Sequence, residues 1–247
     1  MGFNTQLNSN IEDDVNFAIK NKFNTLCIEL SWKPNMDYNK REIEKFKEFS
    51  SLGNKIVIHM PFFMATNTSI KEVAEGIYKY FIKTISFAKD IGASVLTFHS
   101  GYVEQIGQYK TQKSLIENLK KIVVEGKKQG ISISIENDDK GSDYPLWQLK
   151  DVKEILENVE GLDFTYDLAH ANTAKEDVYN FFEEIKNYTN IIHLHNNFGK
   201  DLHNSLDDGD IDYKKIIELF KKEKKEFIYI LEMRPYEKIL RNRDLLN

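Results

Sequence analysis

Eight short runs rich in β-branched and aromatic residues recur along this 247-residue chain, and longer stretches with helical spacing of their apolar residues lie between them. The runs cover residues 2–6, 25–31, 55–60, 93–99, 131–136, 162–167, 191–196 and 227–232, the first being the weakest. Amphipathic segments at 69–91, 112–129, 149–158, 175–188 and 212–222 separate them. Gly53, Gly92, Gly130 and Gly161 stand where helix C-caps are needed. Length divided by eight gives about 31 residues per unit, the size of a strand–helix pair with short loops. This alternation predicts an α/β fold with a parallel sheet. The length suits a (β/α)8 barrel built as one domain over 1–247. An open, doubly wound sheet alternates in the same way, so alternation alone leaves closure undecided.

Composition narrows the function classes. Hydrophobic residues make up 41% of the chain, which excludes global disorder, and its four prolines are too scattered to mark a linker. A net charge of −5 offers no general attraction to nucleic acid. The single cysteine, Cys27, excludes a disulfide framework and a zinc site of several thiolates, and it suits a reducing cytoplasm. The start of the chain carries no basic run followed by an apolar core, so no secretory signal is expected there. Gln6 stands where N-myristoylation needs Ser or Thr. No apolar run approaches a membrane span. A soluble, globular cytoplasmic protein is the expectation.

The six histidines, His59, His99, His170, His193, His195 and His203, all fall at the end of a strand run or in the loop after it. None falls on a predicted helix. In a parallel barrel every strand C-terminus opens on one face, where active sites sit. Glu136, Asp167 and Glu232 end three of the runs. A carboxylate closing an apolar strand is costly to desolvate unless it is paired or metal-bound. Arg234 and several lysines are available as partners, so salt bridges compete with a metal for these acids. Imidazole nitrogen with carboxylate oxygen suits zinc, manganese or iron. Glu136, Asp167, His193 and Glu232 are therefore the expected core of a divalent-metal site. Asp201 and His203 share i, i+2 spacing in a loop and could place two further ligands together. Asp210 and Asp212 are the ordinary acids of a helix N-terminus.

These motifs resemble the xylose-isomerase-like barrel superfamily, which holds sugar isomerases and epimerases together with the endonuclease IV family. The resemblance runs strand by strand over nearly the whole chain. His59, His99, Glu136, the Asp167-x-x-His170 pair, His193, the Asp201-x-His203 pair and Glu232 match the nine ligands with which the nucleases hold three zinc ions. The resemblance implies a TIM barrel that binds one to three Zn2+ or Mn2+ ions. It also implies one of two reactions. In the first, Glu136 and Glu232 exchange protons with a sugar or sugar phosphate whose hydroxy-carbonyl unit chelates the metal. His170 or His203 then holds a hydroxyl, and Glu29, Trp32, Phe62, Tyr102, His195 and Asn196 contact the substrate. In the second, two or three zinc ions hydrolyse a phosphodiester, with nucleic acid as the partner.

The chain departs from the nucleases in several places. Leu202 stands where their Asp-x-His loop commonly has arginine, and their DNA-gripping loops are missing. A groove for a phosphate backbone is basic, whereas this chain is acidic. The isolated Gly107 and Gly141-Ser142 make no clear phosphate loop. Isomerisation or epimerisation is the first expectation and hydrolysis the alternative.

Overall fold

The computed structural model describes residues 1–6, 10–102, 108–141 and 144–246, so Gly107 and Ser142 lie outside the described residues. Eight strands are described: β1 (Gly2–Asn4), β2 (Thr25–Glu29), β3 (Lys55–His59), β4 (Val95–Phe98), β5 (Ser132–Glu136), β6 (Asp163–Asp167), β7 (Thr189–Leu194) and β8 (Ile228–Leu231). The described helices are α1 (Ile11–Lys20), α2 (Lys40–Ser51), α3 (Lys71–Ile91), α4 (Gln108–Gln129), α5 (Leu149–Asn158), α6 (Leu168–Thr173), α7 (Val178–Ile185), α8 (Tyr213–Lys222) and α9 (Tyr236–Leu246). Neighbouring strands pair in parallel in sequence order, and β1 also pairs with β8. The sheet is therefore a closed (β/α)8 TIM barrel, and the open-sheet alternative is excluded.

Strand side chains alternate between the two faces of the sheet. Residues two apart along each strand thus share the barrel lumen. The lower lumen is apolar: Cys27, Val57, Val95, Ile191 and Ile230 form their own buried cluster, separate from the larger core between sheet and helices. One layer up, Thr97, Ser134 and Thr165 satisfy one another, with Oγ–Oγ distances of 2.7 and 2.8 Å. Two residues further along the same strands come His99, Glu136 and Asp167. By the same period Cys27 leads to Glu29, Val57 to His59, Ile191 to His193 and Ile230 to Glu232. Closure of the sheet delivers these groups to one rim.

Local chemistry sets the ends of the helices. Asn39 and Glu42 form a reciprocal capping box at the start of α2. Gly92 ends α3 at φ 78°, a conformation that favours glycine. Asp212 caps α8 by accepting from the Lys215 amide.

Two expectations need correction. β7 begins two residues before the predicted run and stops at Leu194, so His195 and Asn196 lie beyond it. His170 does sit on a helix: the Asp167 carboxylate accepts the Ala169 and His170 amides, both at 2.8 Å, and nucleates the short α6. Among the described residues no helix is long and apolar enough to cross a membrane.

Candidate metal centre

His193 Nδ1 is 3.0 Å from Glu136 Oε1, 3.2 Å from Glu232 Oε2 and 3.9 Å from Asp167 Oδ2. One donor atom from each of these four buried residues lies within 4.8 Å of the others. Strand pairing explains the proximity, because Asp167 on β6 is in register with His193 on β7. Among the described residues, the ion-pair partners of Glu136, Asp167 and Glu232 are all histidines. Arg234 does not reach them; its guanidinium lies 4.9 Å over the Trp32 ring.

Three carboxylates in so small a buried volume need compensating positive charge. Burial favours the neutral Glu136 carboxyl, but the His193 and His99 charges and hydrogen bonds from His193 and His59 hold it well below the usual carboxylate range. Burial likewise disfavours the His193 imidazolium, yet Glu136 and Glu232 push its pKa well up. Protons on imidazoles and a bound cation are interchangeable ways to balance this charge.

The ring orientations decide whether these residues suit a metal. His59, His170 and His203 place Nδ1 at 2.9, 2.8 and 2.7 Å from the backbone oxygens of Met60, Asn137 and Glu232. A carbonyl only accepts, so Nδ1 carries the hydrogen and each neutral ring keeps its lone pair on Nε2. Those Nε2 atoms face carboxylates: Glu136 at 3.2 Å from His59, and Asp201 at 3.7 and 3.4 Å from His170 and His203. His99 follows the same logic, with Nδ1 on Asp138 at 3.0 Å and Nε2 3.9 Å from Glu136. Lone pairs aimed at anions call for a cation between them, and an Nδ1–H held by an oxygen is the usual support of a metal-ligating histidine. The donor set fits a divalent transition metal.

Further donor groups share the rim. His59, His99 and Glu136 form one cluster, Asp167, His170 and His195 another, and His195, Asp201 and His203 a third. The resulting fields are strong. Burial lowers the His59 and His203 pKa values, but Glu29 and Glu136 for the former, and Asp201 and Glu232 for the latter, push each up to about 9.

Above the centre lies a cavity of about 740 Å3. Trp32, Phe62, Tyr102, Glu29, Glu232 and Arg234 are among its lining residues. Glu136, Asp167 and His193 lie fully buried beneath it. Glu29 also supports the centre: it accepts from the Ser31 amide at 2.9 Å and stands 3.5 Å from His59 Nδ1. His195 and Asn196, expected to touch substrate, do not line the cavity. His195 is fully buried, with Nε2 2.8 Å from Asp167 Oδ2. Asn196 donates to the Leu206 and Ile211 carbonyls and accepts from the Asn197 and Ile211 amides, so its amide is used internally. Gly209 is required beside it, because a Cβ there would run into Asn196 Oδ1.

The sequence reasoning passed over several contributors. Asn4 donates to Glu232 Oε1 at 2.5 Å, Asn137 bonds both the amide and the carbonyl of Asp167, and Asp138 orients His99. The period of two supplied a signal for Asn4 alone, as the inward residue of a strand already suspected.

The family model described as xylose isomerase-like TIM barrel matches residues 22–246. The chain belongs to that family. Solved structures of similar fold include a D-tagatose 3-epimerase-like protein, 20% identical with a TM-score of 0.85 over 100% of this chain and 96% of the other. A 3-keto-D-glucoside 4-epimerase from E. coli is 14% identical, with a TM-score of 0.79 over 99% and 96% of the two chains. Endonuclease IV from Thermus thermophilus is 17% identical, with a TM-score of 0.74 over 99% and 96%. No match was found among curated proteins. At these identities the likeness shows the fold alone, and the similar structures carry the names of sugar epimerases and of an endonuclease.

Proposed function

We propose that the protein is a divalent-metal-dependent isomerase or epimerase of a small sugar or sugar phosphate, working in the cytoplasm. The observation that carries this reading is the placement of Glu232. It converges with Glu136 and Asp167 on His193, and it alone of these four residues also lines the cavity. A cation held by Glu136, Asp167, His193 and Glu232, zinc or manganese by its donors, would polarise a carbonyl and the neighbouring hydroxyl and so acidify the C–H between them. Glu232, which also lines the cavity, would be the carboxylate placed to take up that proton. The hydrogen bond from Asn4 fixes its Oε1 oxygen. Glu136, sealed beneath the cavity, is the partner carboxylate for return of a proton from the far side. Trp32, Phe62 and Tyr102 supply an apolar wall that excludes water, and His170 and His203, also in the lining, face the substrate hydroxyls.

A second reading has its own support. His59 and His99 converge on Glu136, an arrangement able to bridge two ions for phosphodiester hydrolysis. The acidic net charge and exposed Leu202 in the cavity lining oppose a nucleic-acid substrate. Incubating the zinc- or manganese-loaded protein with a panel of ketoses in D2O tests the proposal. Deuterium is expected at the carbon beside the carbonyl. Nicking of an abasic duplex, with no exchange into any ketose, overturns it in favour of hydrolysis.

A further inference from the structure

Three of the four arginines in the chain form ion pairs: Arg41 with Glu12, Arg241 with Asp207 and Arg243 with Asp244. The fourth, Arg234, pairs with no acid among the described residues, and it is the one that lines the cavity. Its guanidinium is held over the Trp32 ring, 4.9 Å from the centroid. An arginine placed over an aromatic face keeps its N–H donors for another partner. Acids are not lacking nearby, but three of those in the lining are engaged by histidines: Glu29 by His59, Asp201 by His203 and Glu232 by His193.

A second cation stands in the same wall. Lys238 spends one hydrogen on the His203 carbonyl at 2.7 Å and keeps the rest of its ammonium donors. Among the described residues, Arg234 and Lys238 are the only arginine and lysine in the lining. The chain that carries them is firmly seated. His203 Nδ1 donates to the Glu232 carbonyl at 2.7 Å, and Tyr236 gives its hydroxyl to Asp14 at 2.6 Å while stacking on Phe17 with centroids 4.1 Å apart. Arg234 follows Glu232 by two residues, so their Cα atoms are no more than about 7 Å apart. An anion on Arg234 therefore lies within reach of the same small molecule that occupies the metal centre.

We propose that Arg234 and Lys238 form an oxyanion subsite, which takes a phosphate or carboxylate of the substrate while its hydroxy-carbonyl end lies at Glu136, Asp167, His193 and Glu232. The substrate is then an anionic sugar and not a neutral one. This deepens the isomerase or epimerase reading and rests on it. The arginine fork matches two oxygens of either group, and the lysine adds a point charge. An anion anchored beside Glu232 also fixes which end of the sugar meets the metal centre.

Calorimetric titration of the zinc-loaded protein with sorbitol, sorbitol 6-phosphate and gluconate tests the subsite without turnover, because none of the three has a hydroxy-carbonyl unit. One of the two anions is expected to bind about 10–100-fold more tightly than sorbitol, and which one does so names the group as phosphate or carboxylate. R234Q is expected to remove that advantage. R234K keeps part of it, since lysine retains the charge but lacks the fork. Equal affinity for all three ligands in the wild type overturns the proposal. So does an advantage that survives in R234Q, which places the anion on the metal instead. Exchange in D2O with D-fructose, D-fructose 6-phosphate and D-fructuronate separates the two readings. Exchange into all three at equal kcat/KM keeps the reaction and overturns the subsite. Binding of an anion that depends on Arg234, with no exchange into any ketose, keeps the subsite and overturns the reaction.

Discussion

The Asp138 carboxylate accepts the Nδ1 hydrogen of His99 at 3.0 Å while its second oxygen takes the Ser100 hydroxyl and the Leu146 amide. Both residues ride on the end of a strand or just beyond it, and the contact fixes which His99 nitrogen faces Glu136. Such outer partners set both tautomer and ring direction, and their loss weakens metal binding about 10–100-fold. Asp138→Asn puts an amide donor among the hydrogens of Ser100 and Leu146. The affinity of the His59–His99–Glu136 cluster for zinc is expected to fall by about that factor in a competition titration against a chelator. Undiminished affinity in a folded variant would show that Asp138 has no such role.

Glu232 is expected to be the base at the cavity floor. Glu232→Gln keeps an oxygen able to ligate a cation but cannot take up a proton. Exchange of substrate hydrogen with D2O is expected to fall by about 10²–10⁴. Elemental analysis run alongside must show that the metal is retained. Wild-type exchange by a metal-loaded variant removes Glu232 from the chemistry.

Metal-free protein should have an unusual pH profile. His59 and His203 are pushed up to about 9 in the folded chain, against about 6.5 when unfolded. The stability they contribute is complete below about pH 6.5 and is lost as pH rises through about 9. Glu136, Glu232 and Asp201 are held low by neighbouring histidines despite burial, so their contribution is present above the usual carboxylate range and is lost in acid. The apoprotein is therefore most stable between about pH 5 and 6.5. Thermal unfolding with chelator present should show Tm falling from pH 6.5 to 9.5. With zinc bound the fall disappears, because alkaline pH removes the protons that compete with the metal. A flat apoprotein profile contradicts the assignment of charge.

Asn196 should matter for stability more than for substrate binding. Its amide makes four buried hydrogen bonds to Leu206, Ile211 and Asn197. Each buried group left without a partner costs about 1–3 kcal/mol. Asn196→Ala is expected to lower the free energy of urea unfolding by more than about 3 kcal/mol, with KM of the folded fraction unchanged. A raised KM at wild-type stability would restore it as a substrate contact.

What the sequence determined by itself is the set of groups facing the lumen. Strand side chains alternate, so Val57 inward means His59 inward, and Ile230 inward means Glu232 inward. This is a local rule that needs no knowledge of distant partners. The eight-unit alternation was legible for the same reason. Closure was not, because the pairing of β1 with β8 joins segments more than 220 residues apart. Nor did pattern show that Asp167 would cap a helix under His170, that Asn196 would spend its amide on a loop, or that His195 would turn one nitrogen to Asp167 and leave the other facing Asp201. Those outcomes depend on hydrogen-bond geometry and on separations of a few ångströms between residues remote in the chain, and only the folded barrel brings such residues together.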